Sequence, residues 1–182
     1  MSRLSRRKLL AWLSLGTLAA PVRADLYDDY INSTSKQPFV AFLARRGVPG
    51  HAFVGIGVTL EAGLTVYERF LGFYPLLDGT PADAKLVFGQ TSGALDFKWH
   101  DLAWDEKYVV TVDDSKKAAA LAVADTWRQS GSQYNMFAAG GKNCSSFVGE
   151  VATSIGLKAP GGAGSMFPAD YIRALREANG GG

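Results

Sequence analysis

The chain has 182 residues, 47% of them apolar and 20% charged, with 19 basic and 17 acidic side chains and one cysteine. Its formal charge of +2 is misleading. Residues 1–24 hold Arg3, Arg6, Arg7, Lys8 and Arg23 and no acid, so 14 basic and 17 acidic residues remain beyond them. That remainder carries no basic patch of the kind nucleic acid needs. A lone cysteine excludes an intramolecular disulfide framework, and with two separated histidines it argues against a zinc site.

The opening MSRLSRRKLLAWLSLGTLAAPVRA has a basic start, an apolar run from Leu9 to Ala20, and Val22-Arg23-Ala24. This is the three-part layout of a secretory signal. The apolar run, about 12 residues, is too short to cross a bilayer as a helix. Ser5-Arg6-Arg7-Lys8-Leu9-Leu10 carries the paired arginines of twin-arginine export. The expectation is a signal peptide over 1–24, a single folded domain over 25–182, and a periplasmic or secreted location.

Residues 25–38 read as a turn or short helix, and Phe39–Arg45 as a short strand or helical turn. Pro49-Gly50 breaks the chain. His51–Leu60 and Thr65–Tyr74 are β-rich runs joined at Gly63, which predicts a hairpin. Residues 75–95 are rich in Gly, Pro and Asp and predict a long loop, with one short strand at 85–88. Asp96–Trp104 alternates aromatic and polar groups. Lys107–Val112 predicts a strand, and Asp113–Ser115 supplies N-cap candidates for a helix over 116–129. Residues 130–142 predict a loop, 143–155 a helix ending at Gly156, and 168–178 a final helix with Pro168 near its first position. Strands first and helices later imply an α+β fold with an antiparallel sheet.

The segment Tyr134 to Val148 carries the chemistry. A glycine loop runs into Asn143, a strong N-cap residue. Cys144 then falls in the first turn of an apolar-faced helix, where free backbone N–H groups and the positive end of the helix dipole favour a thiolate. The Cys144 amide can also face a developing oxyanion. A thiol nucleophile needs a base. His51 opens a core strand at the sheet edge and is the candidate. His100, among Trp99, Asp101 and Trp104, fits a structural role better.

Gly50-His51-Ala52-Phe53-Val54 early and Asn143-Cys144-Ser145-Ser146-Phe147-Val148 late resemble the permuted NlpC/P60 group of papain-like proteins, which includes lecithin:retinol acyltransferase-like enzymes. Leu71-Gly72-Phe73-Tyr74-Pro75 is similar to an element of bacterial members. The resemblance implies a circularly permuted papain-like fold and a cysteine hydrolase or acyltransferase working through a thioester. It implies Cys144 as nucleophile and His51 as base, with no cofactor and no metal. The family's third polar residue is missing from the strand after the histidine. If the hairpin turns at residues 62–63, His51 faces Tyr74, whose hydroxyl could orient the ring, with Glu68 further along the same face. A one-residue slip would move both.

The expected substrates are peptide amides such as those of peptidoglycan, with acyl lipid esters as the alternative. Contact with the cell wall or a membrane surface is the partner expectation. A catalytically inactive binding module on the same scaffold is the third reading.

Overall fold

The computed structural model describes residues 28–61, 63–76, 91–136 and 142–181. The chain divides into two compact units, Met1–Ser33 and Thr34–Gly182. In the first, residues 28–32 form a helical turn closed by the Ser33 N–H donating to the Asp29 carbonyl at 2.9 Å. The signal peptide expected over 1–24 and the strand expected at 85–88 lie outside the described residues.

The second unit is α+β. Its antiparallel sheet has strands β1 (Lys36–Arg45), β2 (His51–Leu60), β3 (Thr65–Pro75), β4 (Thr91–Asp96), β5 (Glu106–Thr111) and β6 (Gln133–Tyr134), in the order β5-β1-β2-β3-β4-β6. β1 is a strand because its apolar run serves two faces. Val40, Phe42 and Ala44 join the main core, while Phe39, Ala41 and Leu43 build a second cluster behind the sheet with Phe53, Tyr67, Phe70 and Trp104. Continuous burial of this kind is what a strand covered on both sides requires.

Helix α1 (Asp114–Gln129) lies between β5 and β6 in sequence, and α2 (Cys144–Ser154) and α3 (Pro168–Ala178) follow β6. Asp113 caps α1 by accepting from the Lys116 N–H at 2.8 Å. Pro168 opens α3, where a missing N–H costs nothing. α1 and α2 pack on the face of Val54 and Phe73. The Trp127 ring lies 4.7 Å from Phe73 and 5.4 Å from Phe147, edge to face in both cases.

β4 lies where a loop was expected, and Asp96–Trp104 is irregular with a single 3-10 turn at Trp99–Leu102. The cause is Gly93. A Cβ there would stand 2.0 Å from the Phe73 ring, so this glycine lets the ring cover the strand. Weak strand propensity is overridden by that packing.

Candidate active site

The start of α2 is fixed by Asn143. Its side-chain oxygen accepts from the Ser146 N–H at 2.8 Å, and its amide donates to the carbonyls of Met136 at 3.2 Å and Ala163 at 3.0 Å. One buried side chain therefore caps the helix and ties two flanking loops to it. Asn143→Ala loses the cap and strands two carbonyls, an expected cost of about 2–3 kcal/mol. Urea unfolding measures it.

Cys144 is 5% exposed. Three residues donate to Sγ: Ala52 through its backbone N–H, Ser145 through its N–H and hydroxyl, and Tyr134 through its hydroxyl. These contacts favour the thiolate, yet burial outweighs them and pushes the thiol above its ordinary value. The low-pKa thiolate expected from the helix terminus is thus corrected to a thiol that is neutral at rest. Burial, and to a lesser extent the neighbouring Cys144, hold the Tyr134 phenol far above its usual range, so it remains a donor at every working pH.

Above Sγ lies an open pocket of about 70 Å³, lined by Pro49, Tyr134, Met136, Cys144, Met166 and Phe167 among others. It has room for a reacting carbonyl and its immediate substituents. Met166 and Phe167 are 39% and 56% exposed, so this part of the rim is apolar.

His51 is buried at the first position of β2. Its imidazole stacks on Tyr74 at 4.1 Å between ring centres and lies parallel to Phe53 at 6.0 Å. It also rests on Gly72, where a Cβ would meet Nε2 at 2.4 Å. Glycine at this position is what admits the imidazole to the strand surface. Phe53 pairs with Gly72, the register that sets His51 opposite Tyr74. Tyr74 meets the imidazole with its ring face. Its hydroxyl is buried without a hydrogen-bond partner among the described residues, so orientation through the hydroxyl is not the contact formed.

Glu68 leaves the face assigned to it. The β2–β3 register shifts between Ile56 and Gly57, whose partners are Arg69 and Tyr67, and Glu68 is the extra residue. A bulge reverses the alternation on its own strand. Tyr67 and Phe70 therefore share one face, while Glu68 accepts from Lys117 Nζ of α1 at 2.5 Å. His100 sits in the turn Trp99–Leu102.

The structure thus brings together His51 with Tyr74, and Cys144 with Ala52 and Tyr134. The two groups meet at the His51–Ala52 peptide, since Ala52 faces the α2 side and His51 follows Phe53 to the other. Tyr134 and the Ala52 amide are the site members that sequence reasoning missed. Tyr134 lay in a stretch expected to be loop, and a backbone N–H leaves no trace in a sequence. Among the described residues no cluster of three or more His, Cys, Asp or Glu side chains is placed to hold a metal. Comparison with protein-family models, curated proteins and solved structures finds no match for the chain.

Proposed function

We propose that the chain is an exported cysteine hydrolase or acyltransferase whose first substrates are amide bonds such as those of peptidoglycan peptides. The observation that carries this reading is the setting of Cys144: a thiol at a helix N-terminus, on the floor of a pocket, with the Ala52 N–H and Tyr134 hydroxyl aimed at its sulfur. Donors so placed stabilise a developing thiolate and then the oxyanion of the adduct. His51 is the base. For this the imidazole leaves the Tyr74 stack and swings past the open end of β2 to the Ala52 side, takes the Sγ proton as the C–S bond forms, and returns that proton to the amine as the C–N bond breaks. Water then cleaves the thioester, or a second amine accepts the acyl group.

A specific feature favours lipid acyl esters as the second reading, namely the exposed apolar rim of Met166 and Phe167. Incubation with muropeptides and with phospholipid vesicles, followed by intact-mass analysis for an acyl adduct on Cys144, separates the two. No adduct and no product with either substrate leaves an inactive binding module as the better description. Tyr134→Phe keeps the ring and removes the donor, and is expected to slow acyl transfer about a hundredfold.

A further inference from the structure

Arg45 and His51 are direct cross-strand partners on β1 and β2. Arg45 Nε lies 3.9 Å from Oδ1 of Asp101, and the Asp101 side chain is 1% exposed. A carboxylate that deep persists as an ion only beside a compensating charge. The segment that delivers Asp101 also lies against Tyr74, which stacks on the imidazole, and against Phe70, which packs on Phe53. Phe97 stacks on Phe70 at 5.4 Å, and Lys98 Nζ lies 5.5 Å from the centre of the Tyr74 ring. Among the described residues, the charged and titratable groups on the strands and segment beside His51 are Arg45 of β1, Tyr74 of β3, Asp96 of β4 with its partner Lys98, and Asp101, with Cys144 of α2 across the Ala52 peptide.

We propose that Asp101 is a positioning residue for His51: by neutralising Arg45 it allows the imidazole to hold the proton that Cys144 gives up. This rests on the reading of His51 as the base. An uncompensated guanidinium directly across the strand pair disfavours imidazolium, and the paired carboxylate cancels that penalty. Burial pushes the Asp101 carboxyl up to about 6. It is ionised through the upper part of the range in which an imidazole titrates, so the compensation is present there. The slot beside His51 on β3 holds Gly72, which has no side chain to do this work.

The test is an NMR titration of the His51 Cε1–H signal in the full chain, assigned with His100→Gln. Asp101→Asn is expected to lower the His51 midpoint by about one pH unit and Arg45→Gln to raise it by a similar amount. The double variant is expected to return close to wild type. A midpoint unmoved in both single variants overturns the proposal. So do single variants that shift it in the same direction, because that is the mark of disturbed packing and not of charge. Arg45→Gln carries the test alone if Asp101→Asn fails to fold. Acyl-adduct formation on Cys144 from muropeptides or phospholipid vesicles, followed by intact mass, reads the catalytic assignment separately: a rate indifferent to His51→Ala overturns His51 as base, whatever the titration gives.

Discussion

Cys144→Ala is expected to reduce the proposed acyl transfer by at least about a thousandfold, because the sulfur that would carry the acyl group is gone. The fold should survive, since alanine fits the space and the Asn143 cap is untouched. The pH dependence distinguishes this site from a preformed thiolate–imidazolium pair. Burial raises the thiol, so alkylation of wild-type Cys144 by iodoacetamide is expected to be slow near pH 7 and to accelerate with an inflection above that of a free thiol. Stability follows the same linkage. A group whose folded value is raised stabilises the fold fully below its unfolded value, about 8.5 for cysteine, and that contribution is lost as pH rises through the folded value. Wild type should therefore lose stability relative to Cys144→Ala as pH rises above about 8.5. A rapid alkylation step at pH 6–7, abolished by His51→Ala, would refute the neutral resting thiol.

Phe73→Ala is expected to cost about 3–5 kcal/mol, the range for emptying a fully buried aromatic site. Phe73 is 0% exposed, lies edge-on to Trp127, and sits 5.5 Å from the ring of Tyr134. Removing it opens a cavity between the sheet and α1 and frees the ring that carries the donor to Sγ. Two readouts should move together: the urea midpoint falls, and the acyl-transfer rate at a temperature where the variant remains folded drops toward that of Tyr134→Phe. If activity is retained while stability falls, Tyr134 is held by its other neighbours and the coupling is absent.

Much of the frame was readable because the relevant signals are local. Asn143 before an apolar-faced run and Gly156 after it bracket α2, and Pro168 marks the first residue of α3. The β2–β3 hairpin follows from two β-rich runs around Gly63, and its register from turn geometry, which sets His51 against Tyr74. The misreadings share a different origin. Glu68 was assigned by strict alternation, which a bulge reverses, and nothing in the residues flanking Glu68 announces one. β4 and β6 owe their existence to partners elsewhere in the chain: β4 to Phe73 lying on Gly93, and β6 to pairing of Thr91 and Ser92 with Tyr134 and Gln133. The charge state of Cys144 was beyond a reading of the helix terminus alone, because the dominant influence is burial, a property of the assembled core.

The contact between the Ala52 amide and Sγ joins positions about half the chain apart. Closing so long a loop is entropically costly and comes late, after the local hairpin and helices are available. The thiol is consequently most vulnerable before the protein is finished. An unfolded or partly folded chain presents an ordinary exposed cysteine, open to oxidation and mixed-disulfide formation, whereas the completed fold presents a protonated and shielded one. Maturation of the polypeptide thereby acts as its own protecting-group chemistry, and a pulse of thiol reagent during refolding would time the moment at which that protection is installed.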